Sequence, residues 1–401
     1  MLPVLTPDQS AAWDRKAVAA GIELATLMEC AGRSVLAALA PRFSARLAQG
    51  VLVAAGPGHN GGDGWVLARA LHRLGAPVWV TAPAGGTGAE LREHMARLAR
   101  AEGVREVPPD GPWPTVALAV DALLGTGASG PPRAPVAALL DRLVDLEVPL
   151  VAVDGPTGVD LLSGTVHGAA RADLTVTFGG VRRGHLLARD EVGDVLVVDI
   201  GHPPAEPEWP GLVTDEVAAE WLPHLRGDSH KGTRGRVVVI GGDAGMTGAV
   251  RMAARAAFAA GAGLVHAVAP GETVAALVQA EPDLQTLAHP FDVEPSSALR
   301  DLVTRADAVV IGPGLGRASG RREWITAIVR NAKALVLDAD ALVAFQGGVD
   351  ALRSLAEAHP VVLTPHPGEF RGLFPDLASQ RELDPWAAAE AAADRARAVV
   401  L

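Results

Sequence analysis

Pro57-Gly58-His59-Asn60-Gly61-Gly62-Asp63-Gly64 is the stretch on which the reading of this chain turns. Upstream of it, Val51-Leu52-Val53-Ala54-Ala55 is an uninterrupted apolar run, as expected of a buried strand. Downstream, Trp65-Val66-Leu67-Ala68-Arg69-Ala70-Leu71 reads as a helix. Glycines at such a turn tolerate left-handed torsions and, lacking side chains, let backbone come close to a ligand. The helix start then offers free N–H groups to an anion such as a pyrophosphate. Asn60 and Asp63 sharpen the signal, because they add oxygen ligands and a charge to a cradle otherwise suited only to phosphate.

The pattern repeats outward. Residues 1–50 read as helical, with Leu24, Leu27, Met28, Ala31, Val35, Leu36 and Leu39 close to helical spacing. Further apolar runs occur at 78–80, 116–120, 150–153, 174–178 and 195–200, with helical patterns between most of them. Continuous apolar strands alternating with helices imply a mostly parallel sheet covered on both faces, an α/β fold of three layers. His202-Pro-Pro-Ala-Glu-Pro-Glu-Trp-Pro210 holds four prolines in nine residues, which excludes helix and central strand. Alternation then resumes at 236–240, 264–268, 308–311, 334–337, 361–363 and 398–401. The expected organisation is a first α/β domain at 1–205, a linker at 206–224 and a second α/β domain at 225–401.

Bulk properties narrow the field. A chain of 401 residues is long for one domain. A net charge of −11 argues against a general nucleic-acid binder, so an anionic ligand must be held by local N–H groups. The single cysteine, Cys30, excludes an intramolecular disulfide and suits a reducing compartment. No leader pattern and no apolar run long enough to span a bilayer is present. The expectation is a soluble, cytoplasmic protein that binds neither membrane nor nucleic acid.

Three loops of the first domain each follow an apolar strand: residues 57–64, Asp121 to Pro131, and Asp154-Gly-Pro-Thr157-Gly158-Val-Asp160. Ligands of open α/β sheets bind beyond the carboxyl ends of the strands, so the three can converge on one crevice holding Asn60, Asp63, Asp121, Asp154 and Thr157. Oxygen ligands suit a hard cation. A carboxylate beside a glycine-rich anion cradle suits acid–base work on a phosphorylated substrate.

Together with Leu27-Met28-Glu29-Cys30-Ala31-Gly32 and Thr175-Val-Thr-Phe178, these loops resemble the NAD(P)H-hydrate epimerase family, also called the YjeF N-terminal domain, over about residues 1–205. The resemblance implies a Rossmann-like domain that interconverts the R and S forms of hydrated NADH or NADPH. It implies a potassium ion held by Asn60, Asp121 and Thr157. His59, Asn60, Gly61, Gly62 and Asp63, with Gly125, Thr126, Gly127, Ala128, Ser129, Gly130 and Pro131, would contact the hydrated nucleotide. Asp154 would be the acid–base residue near the nicotinamide C6. Three positions depart from the family: His59 stands where Asn is usual, Thr157 where Ser is usual and Arg182 where Lys is usual. Thr keeps the hydroxyl a cation needs, whereas Arg keeps the charge but is a poor proton donor. Members of the family often form homo-oligomers.

In the second half, Gly241-Gly-Asp-Ala-Gly-Met-Thr-Gly248-Ala249 reads as another close-approach turn onto a helix start. Ile311-Gly-Pro-Gly314-Leu-Gly316, Leu337-Asp-Ala-Asp340 and Leu363-Thr-Pro-His366-Pro-Gly-Glu369 follow further strands. Taken alone, His366 reads as an exposed loop residue or a helix cap. The set resembles the ADP/ATP-dependent NAD(P)H-hydrate dehydratase family, with its ribokinase-like fold, from about residue 225 onward. That implies ADP or ATP as phosphate donor, with magnesium, and Ala249, Gly314 and His366 as contacts to the hydrated nucleotide. In that family a strand like Ala398-Val-Val-Leu401 is followed by Lys-Gly, a nucleotide-contacting Thr and a Gly-Thr-Gly-Asp catalytic turn. The 401 residues hold none of these, and the expectation is that they do not carry out the dehydration. Two other readings stay open: a binding or scaffold protein that holds a nucleotide metabolite without converting it, and a ribokinase-type small-molecule kinase.

Overall fold

The computed structural model describes residues 1–83, 89–224 and 226–401. Residue 225, where the second domain is expected to begin, lies outside the described residues. The chain divides into two compact units, Met1–Pro223 and His224–Leu401.

The first unit runs β1 (Leu2–Leu5), α1 (Pro7–Ala19), α2 (Leu24–Leu47), β2 (Val51–Ala55), α3 (His59–Arg73), β3 (Val78–Thr81), α4 (Glu90–Ala101), β4 (Arg105–Glu106), β5 (Leu118–Ala122), α5 (Ala134–Val144), β6 (Leu150–Val153), β7 (Leu174–Phe178), β8 (Val181–Arg182), α6 (Arg183–Leu187), α7 (Arg189–Val192), β9 (Asp194–Val198), β10 (Gly211–Leu212) and α8 (Asp215–Trp221). Seven strands form a parallel sheet in the order β4-β3-β2-β5-β6-β7-β9. Alternate residues of β2 serve opposite faces. Val51, Val53 and Ala55 pack with α2 and α3, through Val35, Leu39, Val66 and Leu67. Leu52 and Ala54 pack with α5, through Leu139, Leu140 and Leu143. Both faces are therefore covered, which is why the strands read as unbroken apolar runs.

Two local expectations are corrected. Residues 1–50 are not helical throughout, because Leu2–Leu5 form a strand between Val181–Arg182 and Gly211–Leu212. Those partners are remote in sequence, so local spacing carries no sign of them. The second correction concerns the glycine-rich stretch. It is a helix from His59 onward, six residues earlier than the apolar pattern at Trp65 indicates. Gly58, Gly61, Gly62 and Gly64 do not have positive φ. What the site uses is their missing side chain. A Cβ on Gly61 would sit 2.0 Å from the Gly56 carbonyl oxygen, and one on Gly64 would sit 2.7 Å from the Ala122 Cβ. The glycines let α3 lie directly against β2, β5 and the turn that feeds it. Tight packing offsets a helix propensity that glycine lowers by about 1 kcal/mol per residue.

The second unit is also a three-layer α/β/α body. Its strands are β11 (Arg236–Ile240), β12 (Leu264–Ala269), β13 (Gln285–Ala288), β14 (Ala308–Ile311), β15 (Leu335–Leu337), β16 (Val361–Leu363) and β17 (Val399–Val400). They form a parallel sheet in the order β13-β12-β11-β14-β15-β16-β17. The edge strand β13, sequence Gln-Thr-Leu-Ala, is too polar to stand out as an apolar run. Helix α9 (Thr247–Ala259) follows β11. No helix among the described residues is long and apolar enough to cross a membrane.

Candidate functional site

The carboxyl ends of β2, β5 and β6 open onto one cavity of about 540 Å³. Its wall includes Pro57, Gly58, His59, Asn60 and Asp63 from the start of α3, Leu123 to Ala128 beyond β5, Asp154 beyond β6, and Phe178 and Arg182 beyond β7. Ser10 and Asp14 of α1, Met28 of α2, and His202 close it. Such a cavity, part apolar with a few convergent polar groups, is the usual form of a small-molecule site. The N-cap of α3, Gly58, has no side-chain cap. The first N–H groups of this fifteen-residue helix are thus left for a ligand at the cavity rim.

Asp154 is the most constrained residue of the site. Its φ is +64°, a left-handed conformation uncommon for a residue with a side chain. Its Oδ2 accepts from the Thr126 N–H at 2.8 Å and from the Thr126 hydroxyl. Its Oδ1 accepts from the Thr177 hydroxyl at 3.2 Å and from Arg182 Nη2 at 3.2 Å. Arg182 is itself buried and also donates to the Phe178 and Gly180 carbonyls. Burial opposes ionisation of Asp154, but Arg182 and the two Thr126 hydrogen bonds outweigh it and hold the carboxyl below the usual range. Behind it, His185 Nδ1 accepts from the Arg182 N–H at 3.0 Å, so its Nε2–H donates to the Asp154 carbonyl at 2.8 Å. Burial, then Arg182, push the His185 imidazole down to about 4, so the ring is neutral and of one tautomer.

Asp121 and Thr157 form a second knot. The Thr157 N–H and hydroxyl donate to the two Asp121 oxygens at 2.7 and 2.8 Å, and the Leu123 N–H adds a third bond at 3.1 Å. Thr157 Oγ1 accepts from the Leu124 N–H at 3.0 Å. Burial pushes the Asp121 carboxyl up despite these bonds. No Lys, Arg or His among the described residues forms an ion pair with it. Asn60 is buried, and its Oδ1 and Nδ2 have no hydrogen-bond partner. It closes on the Asp154 side of the cavity: a Cβ on Gly125 would lie 3.0 Å from Asp154 Oδ2 and 3.1 Å from Asn60 Cγ.

Of the residues singled out from sequence, His59, Asn60, Asp63, Gly125, Thr126, Gly127, Ala128 and Asp154 line the cavity. Gly61 and Gly62 do not line it: they face inward, and a Cβ on Gly62 would meet Met28 Sδ at 2.5 Å. Asp121 and Thr157 lie beneath the wall, while Ser129, Gly130 and Pro131 continue the 125–128 loop past it. Sequence reasoning missed Thr177, His185, Asp14 and His202. Thr177 left one sign, a polar residue with Thr175 inside the otherwise apolar strand Leu-Thr-Val-Thr-Phe. His202 Nε2 lies 2.8 Å from Asp14 Oδ1, and its ring stacks on Trp13 at 4.4 Å.

In the second unit, Ala249, Gly314 and His366 follow β11, β14 and β16 on the same rim of the sheet. Gly314 has φ +64°, and a Cβ there would lie 3.3 Å from the Ala249 Cβ. His366 caps the helix Pro367–Leu373: its Nδ1 accepts from the Gly368 N–H at 3.0 Å, and its ring stays exposed.

A family model described as YjeF-related protein N-terminus matches residues 24–184, and one described as NAD(P)H-hydrate dehydratase matches residues 237–401. The bifunctional NAD(P)H-hydrate repair enzyme Nnr of Salinibacter ruber is 38% identical over 410 residues, spanning 92% of this chain and 75% of that protein. The enzyme of the same name from Coxiella burnetii is 37% identical over 377 residues, spanning 90% of this chain and 73% of that protein. Among solved structures, the ADP/ATP-dependent NAD(P)H-hydrate dehydratase from Bacillus subtilis, co-crystallised with ATP and magnesium, is 24% identical. It covers 47% of this chain and 64% of its own, with a TM-score of 0.38.

Proposed function

This chain belongs to the bifunctional NAD(P)H-hydrate repair enzymes, and we propose that the cavity beside Asp154 is where its epimerase domain interconverts the R and S hydrates. The family joins an epimerase domain to a dehydratase domain, here the first and the second unit. One observation carries the assignment of the site: an ionised, four-fold hydrogen-bonded aspartate stands in the wall of a cavity that also holds an uncapped helix start. The helix start and the 125–131 loop bind the diphosphate of the hydrated nucleotide. The hydrated nicotinamide ring lies against Asp154, whose fixed charge favours positive charge developing at C6 and N1.

Potassium is proposed at Asn60, Asp121 and Thr157. The fit rests on two observations: the buried Asn60 Oδ1 lacks a partner, and the buried Asp121 carboxylate has no cationic side chain to offset it. Held by these residues, the ion would supply fixed positive charge to the site. In the dehydratase unit, Ala249, Gly314 and His366 are proposed to contact the same hydrated nucleotide, ADP or ATP being the phosphate donor of the family's reaction. Magnesium is proposed to accompany the phosphates of that nucleotide.

The test is to incubate the protein with one epimer in potassium buffer and follow the other by chromatography. Absence of interconversion above the spontaneous rate ends the reading. Asp154→Asn, which retains the side-chain shape, is expected to lose about 10²-fold or more in rate.

A further inference from the structure

Asp154 is a poor proton carrier. Four donors occupy its two oxygens, which is about the full acceptor capacity of a carboxylate. Such a group is stabilised as the anion and gives up little by staying there. The cavity holds another carboxyl with the opposite character. Asp63 lies one helical turn beyond Asn60 on α3, lines the same cavity and is buried. No Lys, Arg or His among the described residues pairs with it.

Asp154, held by Arg182, and Asp14 of α1, bonded to His202, line the same cavity. His59 shares its helix. On the α2 side, a Cβ on Gly32 would lie 2.7 Å from the Asp63 carbonyl oxygen. On the α4 side Arg92 is committed to the Gly56 carbonyl and Glu93. Burial, then the negative charges of Asp154 and Asp14, lift the Asp63 carboxyl well above the usual range, so it keeps its proton further up in pH than an ordinary carboxyl does.

Building on the epimerase reading, we propose that Asp63 is the catalytic acid of this cavity and that Asp154 is the fixed counter-charge. Asp63 donates its proton to the C6 hydroxyl of the hydrate. The C6–O bond breaks with its electron pair going to oxygen, and water leaves. The N1 lone pair forms a C6=N1 iminium whose positive charge faces Asp154. Water adds to the other face of C6, and its surplus proton returns to Asp63. One proton and one water are consumed and regenerated in each inversion, so no other reactant is needed. The pairing follows from the geometry: a saturated carboxylate stabilises a cation, and an unpaired buried carboxyl moves a proton.

The experiment runs wild type, Asp63→Asn and Asp154→Asn in ¹⁸O-labelled water, starting from one epimer, across a range of pH. Wild-type inversion comes first, since its absence would defeat the epimerase reading itself and not the division of roles. Given inversion, each inverted molecule is expected to carry one solvent oxygen at C6. Asp63→Asn is expected to fold by circular dichroism and to bind hydrate by calorimetry. It should invert about 10²-fold or more slowly, and the alkaline fall of the wild-type rate should be missing. A rate near wild type in Asp63→Asn overturns the proposal. So does inversion with the original C6 oxygen retained, a result that depends on no variant.

Discussion

The neutral His185 makes the stability of the first unit depend on pH in a way that can be worked out. Its imidazole is held at about 4 in the folded protein, against an ordinary value of 6.5. Between those values the unfolded chain binds a proton that the folded chain does not. Stability therefore rises with pH across that window, is fully present above 6.5, and stops falling once both states are protonated below about 4. Each pH unit inside the window is worth about 1.4 kcal/mol, so lowering the pH from 6.5 to about 5 should cost the first unit about 2 kcal/mol from this residue alone. His185→Gln keeps an acceptor for the Arg182 N–H and a donor for the Asp154 carbonyl but cannot titrate. The assay is hydrogen exchange in rising urea, read by mass spectrometry on peptides from residues 1–223, at both pH values. Wild type should lose about 2 kcal/mol more than the variant on acidification, whatever their relative stability at neutral pH. Equal losses would refute the argument. So would a ¹³C-labelled His185 resonance titrating near 6.5.

Other consequences are open to simpler tests. Gly61→Ala should destabilise the first unit by roughly 1–3 kcal/mol despite alanine's better helix propensity, because the Cβ meets backbone 2.0 Å away; a thermal melt decides, and an unchanged midpoint would mean α3 can shift. Arg182→Met removes the partner of a buried Asp154 and should cost about 3–5 kcal/mol by urea denaturation. Arg182→Lys restores the charge and should recover much of that loss, whereas equal effects of the two variants would show that packing, not charge, is what Arg182 supplies. Replacing potassium by sodium should lower the epimerisation rate of wild type, and Asn60→Ala should remove the difference between the two ions; a rate indifferent to the ion would argue against a cation at Asn60, Asp121 and Thr157.

The parts of the fold legible in the sequence are those whose residues lie buried on both faces. Val51–Ala55 is fully buried, and so is Leu174–Phe178, so each shows as a short run with little polar interruption. The edge strands β4 and β13 escape notice. Arg105–Glu106 is exposed and charged, and nothing local marks it as strand. The start of α3 is hidden for another reason: glycine is a poor helix former, and the packing that selects it comes from Gly56 just upstream and from Met28 and Ala122, which are remote in sequence. The site divides in the same way. Asp121 and Asp154 stand out because each closes an apolar run, and Asn60 because it is a polar side chain within a glycine-rich stretch. The tuning of Asp154 does not, because Thr126, Thr177, Arg182 and His185 lie 23 to 31 residues from it along the chain. Partners at that separation have no periodicity to betray them.

The backbone of Asp154, at φ +64°, also restricts what can replace it. Side chains that enter this conformation readily are few, chiefly Gly, Asn and Asp. Substitutions at 154 thus draw on a very small alphabet, and two of its three letters are uncharged. The negative charge can be deleted here while the main-chain path is kept. If the proposed site is the epimerase site, Asn at this position would give an inert receptor for hydrated nucleotides, a reagent that captures the damaged cofactor from a mixture and leaves its stereochemistry as found.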